Sequence, residues 1–214
     1  MLSLLTDTKL RDAVDLYLFS PAPSTFGYLR DRLGAQNHVL HYEQVALSGE
    51  SSEGAIMYVS DQSSGINSLH ANPLRDDEKQ IEIIKVTAVD FCEAHKIQKV
   101  QLLKCDTEGH DMEVIRGALP MLADGSISVL QFEYNHQWVF SRNFLRDAFI
   151  AIEKLPYKLA KLQPDHLLIF NEWHPELEKF FGHNYAIVHV DALDWFPTKR
   201  VAWDIYNTMC VERQ

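Results

Sequence analysis

Val100-Gln101-Leu102-Leu103-Lys104-Cys105-Asp106-Thr107-Glu108-Gly109-His110-Asp111-Met112-Glu113-Val114-Ile115-Arg116-Gly117-Ala118 is the stretch that decides the fold. Its first six residues are a short apolar-rich run, which predicts a buried strand running into Asp106. From just past Gly109, Met112, Ile115, Leu119 and Leu122 recur at three and four residues, the spacing of a helix that lays one face on a sheet. Strand, loop and helix in that order is the building unit of an α/β domain.

The pattern continues downstream. Gly125 marks a turn, Ile127–Phe132 predicts a second strand ending at Glu133, and Leu145, Ala148, Phe149 and Ile152 predict a second amphipathic helix. Tyr157–Leu162 and Leu167–Phe170, separated by Gln163-Pro164-Asp165-His166, predict an antiparallel hairpin. The tail after Asp191, with Trp195, Phe196, Trp203 and Tyr206, is either a docking tail or a last cover for the sheet.

Upstream, Ile81–Val86 predicts a strand, and Thr87 with Asp90 opens a short helix through His95. The turn-rich Ser48–Gly54 between His38–Leu47 and Ala55–Val59 predicts a hairpin. The Ser-, Asn-, Asp-, Gly- and Pro-rich run Asp61–Asp77 is too long for a tight turn and points to a functional loop. Val14–Phe19 predicts a strand stopped by Ser20-Pro21-Ala22-Pro23. A helix capped by Ser24 or Thr25 follows, with Phe26, Leu29 and Leu33 at helical spacing before Gly34.

The chain has 214 residues, 46% hydrophobic and 23% charged, which suits a single domain, residues 1–214, with a full core. A formal net charge of −10 with no basic patch argues against a nucleic-acid partner. The apolar start, Met1-Leu2-Ser3-Leu4-Leu5, meets Asp7, Lys9 and Arg11 too soon for a signal or membrane segment, so the expectation is a cytoplasmic protein with no membrane partner. Three widely spaced cysteines, Cys92, Cys105 and Cys210, suit reduced thiols.

In open α/β sheets ligands sit at the carboxyl ends of strands. Asp106 and Glu108 lie there with His110 close behind, and Glu133 ends the next strand with Tyr134, Asn135 and His136 beyond it. Carboxylates gathered in a partly desolvated crevice can bind a cationic ligand, take a proton or hold a divalent metal, and the spacing does not choose among these. Two acids ahead of a helix also favour its N-terminus. Against a metal centre, residues i and i+2 at a strand end point different ways, and no paired histidines at helical spacing accompany them. His136, Trp138 and Arg142 are candidates for the lining of a sugar-sized pocket.

The run from Leu102 to Ala118 resembles the hallmark of the FkbM methyltransferase family: a strand ending in lysine-x-aspartate-x-glutamate-glycine, then a helix ending in glycine-alanine. Further stretches fall in the family's order: Phe19-Ser20-Pro21, Val45-Ala46-Leu47-Ser48, Asn67-Ser68-Leu69, Val89-Asp90-Phe91, Gln131-Phe132-Glu133-Tyr134 and Asn184-Tyr185-Ala186. The resemblance covers about residues 16–188 and leaves 191–214 as a tail. It implies a class I, Rossmann-like fold: a mostly parallel sheet with helices on both faces and a C-terminal antiparallel hairpin. It also implies methyl transfer from S-adenosylmethionine to a hydroxyl of a sugar, polyketide or other small molecule; no residue is assigned as a metal ligand.

By the same resemblance Asp106, Glu108 and Glu133 are the catalytic residues, and Asp106 also lies beside the methyl-donating end of the cofactor. It places Ser20, Pro21, Ala46 and Ser48 at the cofactor, and Glu108 and Glu133 along the acceptor pocket; by their position, His110 and His136 are candidate contacts to the acceptor. In-line transfer from a sulfonium needs positioning and a base or polariser for the acceptor oxygen, which the carboxylates supply. Two departures stand out. No glycine precedes Gly27, so the family's first strand and its glycine loop have no counterpart, and Ser20 stands where the family has a glutamate that grips the ribose. The expectation is a methyltransferase whose first, central strand is encoded upstream of Met1. The alternative is an inactive methyltransferase-like domain that serves as a binding module.

Overall fold

The computed structural model describes residues 14–33, 40–60 and 67–211. Gly34, His38, Val39, the N-terminal residues before Val14 and residues 61–66 of the predicted loop lie outside the described residues.

The strands fall into three sheets. In the first, β1 (Leu16–Phe19) and β2 (Leu40–Glu43) pair in parallel, Leu16 opposite Leu40. The second runs in the order β3 (Ala46–Leu47), β5 (Glu78–Val86), β4 (Ser52–Ser60). The third has seven strands. At one end lie β6 (Val100–Lys104) and β7 (Ile127–Tyr134), followed by β10 (His183–His189), β8 (Tyr157–Leu162) and β9 (Leu167–Phe170). β11 (Thr198–Trp203) and β12 (Met209–Val211) close the far side.

Several sequence expectations change here. Within the large sheet β6–β7 and β9–β11 are parallel, whereas β7–β10, β10–β8, β8–β9 and β11–β12 are antiparallel, so the sheet is mixed rather than mostly parallel. The cause is β10, which runs between β7 and β8 against both, and the tail, which adds β11 and β12 instead of standing apart. The predicted hairpin across Ser48–Gly54 does not form: β3 and β4 both pair with β5, and β2 pairs with β1. The hairpin of β8 and β9 forms as predicted, Leu162 opposite Leu167.

β6 is the largest departure. It was expected to be buried, yet Leu102 is 50% exposed and Gln101 and Lys104 are exposed as well, because β6 ends the sheet with β7 as its one strand partner among the described residues. The parallel strands β1–β2 and β6–β7 thus belong to separate sheets.

The helices are α1 (Pro23–Leu33), α2 (Ala88–Ala94), α3 (Asp111–Ala123), the single turn α4 (Trp138–Ser141) and α5 (Leu145–Ile152). α1 begins at Pro23, whose fixed φ suits a first helical position, so Ser24 and Thr25 lie inside the helix and do not cap it. α2 starts as read: the Thr87 hydroxyl accepts from the Asp90 amide at 2.9 Å. α3 and α5 set Ile115, Leu122, Leu145 and Ala148 into one core with Leu130, Phe132 and Ile187 of the large sheet. The opposite face, with Val129, Ala160, Ile169 and Val188, is covered by Ala192, Leu193 and Phe196 of the 3₁₀ segment Val190–Trp195 and its exit. Among the described residues, a 3₁₀ turn packs on this face where a helix was expected. Among the described residues, no helix is long and apolar enough to cross a membrane.

Candidate functional site

β6 and β7 run side by side and in parallel, with Lys104 opposite Gln131, so their carboxyl ends deliver Asp106, Glu108 and Glu133 to one place. Oxygens of these three carboxylates lie within 4.8 Å of one another. The expected divergence of Asp106 and Glu108 is corrected: β6 ends at Lys104, and Glu108 stands in a left-handed turn with φ of 51°, which folds its carboxyl back toward its neighbours.

The motif glycines have structural reasons. Gly109 has φ of 92°, and a Cβ there would meet the Gln137 carbonyl oxygen at 2.7 Å, so only glycine lets this loop close against the loop after β7. A Cβ on Gly117 would lie 2.0 Å from the Ser48 carbonyl oxygen. That contact presses the Ser48–Gly49 turn onto α3.

Crowding sets the electrostatics. Burial, then Glu133, Asp106 and Asp111, push the Glu108 carboxyl from 4.5 up to about 7, while the Asn135 side chain works the other way. Burial and Asp106 raise Glu133 as well. Asp106 is the outermost of the three and forms an ion pair with Lys104 at 2.7 Å. Asp111 is 1% exposed; its Oδ1 finds no hydrogen-bond partner among the described residues, and burial pushes it up to about 6. Such a set binds a proton or a cation readily and suits a sulfonium, and three convergent oxygens also match the ligand type of a hard divalent ion.

The other predicted residues divide. His110 is buried and does not face the carboxylates: its Nε2 lies 3.0 Å from Ser48 Oγ and its Nδ1 lies 3.1 Å from His70 Nε2. Burial, helped by His70, Lys85 and Arg116, pulls its pKa down to about 3, so it is neutral. The Ser48 hydroxyl is engaged by this ring. Ser20 and Pro21 directly follow β1, and Ser20 N donates to Glu43 O at 3.0 Å. Ala46 packs with Ala22, Met57 and Ile83, which ties the β1 exit to the second sheet. His136 and Arg142 are exposed. Trp138 is a core residue packed on Phe132 and Tyr134, with Nε1 donating to Glu133 O at 2.8 Å.

Sequence reasoning passed over Ser68, His70, Asn135 and Asp111 as site residues. Ser68 and His70 lie within the loop already singled out for its length, and Asn135 directly follows the strand end, so position was the available signal.

A cavity of about 580 Å³ lies beside the His110 ring, lined among others by Ser48, His70, Lys85, His110 and Glu113. Its volume is that of a small-molecule site.

The sequence profile of the Methyltransferase FkbM domain matches residues 5–185. No curated protein matches the chain. Among solved structures, the crystal structure of methyltransferase FkbM from Methylobacillus flagellatus KT is similar, with a TM-score of 0.51 and 11% identity over 87% of this chain and 39% of that one. At that identity the likeness concerns the fold alone, and this chain spans well under half the length of the solved protein. The profile match extends over most of the sequence, through the strand, turn and helix that gather the three carboxylates, and on that ground the chain belongs to the FkbM methyltransferase domain family.

Proposed function

We propose that this chain is an S-adenosylmethionine-dependent methyltransferase acting on a hydroxyl of a small-molecule acceptor such as a sugar or a polyketide, in the cytoplasm. The observation that supports this reading best is the crowded Glu108 carboxyl, with a pKa of about 7, at the carboxyl ends of two parallel strands. When bound, S-adenosylmethionine supplies an electrophilic methyl group on a positively charged sulfur. Asp106 and Glu133 would stabilise that charge. Glu108 would take the proton of the acceptor hydroxyl, and a pKa near the working pH suits it to hold that proton and then release it to water. The exposed His136 offers one contact to the acceptor.

The binding-module reading has one observation in its favour: Ser20 and Asp106, the two ends of the expected cofactor site, follow strands of separate sheets. Calorimetric titration with S-adenosylmethionine and S-adenosylhomocysteine separates the readings. Saturable binding that is lost in D106N supports the enzyme; absence of binding by the folded chain overturns it.

A further inference from the structure

We propose that Ser68, seconded by His70, is a positioning residue that holds the Glu108 turn in its left-handed form and thereby keeps the Glu108 carboxyl against Glu133. The inference rests on reading Glu108 as the group that takes the acceptor proton.

Asn67–His70 is fixed to β4 before it reaches the site. Ser68 N donates to Tyr58 O at 3.0 Å, Tyr58 N donates to Ser68 O at 2.8 Å, and Ser60 N donates to Asn67 Oδ1 at 3.1 Å. From that anchor two groups reach the turn on either side of Gly109. The buried Ser68 hydroxyl donates to the Glu108 carbonyl oxygen at 2.7 Å, and His70 Nε2 meets His110 Nδ1 at 3.1 Å. Ser68 Oγ also accepts from His70 N at 3.1 Å, which joins the two grips. Behind them His110 Nε2 is held by Ser48 Oγ at 3.0 Å, so the turn is fixed to the second sheet at three points.

The geometry explains why a clamp is needed. Glu108 has φ of 51°, a region a residue with a Cβ enters at a cost, and it persists only where its surroundings fix it. A hydrogen bond to the carbonyl of that same residue sets the orientation of the following peptide and, with it, the direction of the side chain. Glu133 from β7, Asp106 and Asp111 from the β6–α3 loop and the start of α3, and Asn135 from the loop after β7 are the charged and polar groups around the carboxyl. A turn released toward right-handed φ carries the carboxyl away from Glu133.

The test is a pH titration by NMR of protein labelled with ¹³C at glutamate carboxyls, the Glu108 signal being assigned by its loss in E108Q. The wild type is expected to titrate near 7. S68A should fall toward 4.5 by at least about one pH unit, with circular dichroism confirming an unchanged fold, and S68T should keep the wild-type value because it retains the hydroxyl. S68C, whose thiol is a weak donor, serves if S68A does not fold and should fall in the same way. A folded S68A or S68C that titrates like the wild type, or an S68T that falls with S68A, overturns the proposal, because the hydroxyl is then not the acting group. A wild-type midpoint at 4.5 overturns the acid–base reading and the clamp's role together. Failure to bind S-adenosylmethionine with the difference between wild type and S68A intact overturns the cofactor reading alone.

Discussion

Replacing Glu108 with glutamine should stabilise the protein at alkaline pH and leave it nearly unchanged in acid. In the folded chain the Glu108 carboxyl holds its proton up to about 7 instead of 4.5, so between those values the folded state binds more protons than the unfolded state, and stability falls as pH rises. The favourable protonated form is complete below 4.5 and lost through about 7; above that the folded state bears the full penalty of a crowded charge. At full value the shift corresponds to about 3 kcal/mol. Glu108 is only partly buried, and solvent screening reduces this to about 1.5 kcal/mol. Glutamine has the same shape and never ionises, so urea unfolding of E108Q and wild type should agree within about 0.5 kcal/mol near pH 4 and diverge by about 1.5 kcal/mol in favour of E108Q near pH 8.5. A difference that does not change with pH, or one that turns against E108Q as pH rises, refutes the account of the crowded carboxylates.

G109A should lose about 2–3 kcal/mol in urea or thermal unfolding, because alanine at φ of 92° is strained and its Cβ meets the Gln137 backbone at 2.7 Å. G117A should lose about 3 kcal/mol or more by the same measurements, since the obstructing atom is a backbone oxygen at 2.0 Å and must be displaced together with the Ser48–Gly49 turn. L102K should change stability by no more than about 0.5 kcal/mol, whereas L130A, at a fully buried position of the neighbouring strand, should cost about 3 kcal/mol. Equal losses for the two leucine variants would show that β6 is buried and that its assignment as a sheet end is wrong.

Much of the site was legible in the sequence because its residues lie close together along the chain. Lys104 to Gly109 is a single strand-to-helix exit, and the helical period from Met112 to Leu122 fixes where α3 starts, so a reader can place Asp106 and Glu108 without tertiary information. Glu133 was found by the same rule, the polar residue where an apolar run stops. The convergence of Asp106 and Glu108 was not legible, because it depends on a left-handed glutamate stabilised by contacts from residues about forty positions away. The partners of His110 were illegible for a related reason. A histidine beside two acids looks like part of their site, yet its partners, Ser48 and His70, come from the second sheet and turn the ring aside. Trp138 illustrates the ambiguity of large aromatics near a strand end: its indole N–H is used by the Glu133 carbonyl, and its ring fills the core.

In the fold, local periods identified most elements, but partner choice was beyond them. Ser48–Gly54 has turn composition, and nothing local reveals that the strands flanking it both pair with a third strand that begins at Glu78. The exposure of Leu102 likewise reflects which strand lies beside β6, and an apolar run reads the same in the middle of a sheet and at its end.

The position of β6 has a consequence for motion. Successive amides of a strand alternate between its two edges, and among the described residues β6 finds strand partners only through β7, whereas β7 is bonded along both edges, by β6 and β10. On the strand partners of the described residues, Asp106 and Glu108 are expected to follow a segment that opens at lower free energy than the one that carries Glu133. In hydrogen exchange the outward-facing amides of Val100–Lys104 should be replaced by deuterium long before those of Ile127–Tyr134. Where β6 opens and β7 does not, the distance between the carboxyls changes with it, so whatever quiets β6 should also hold the acids closer together.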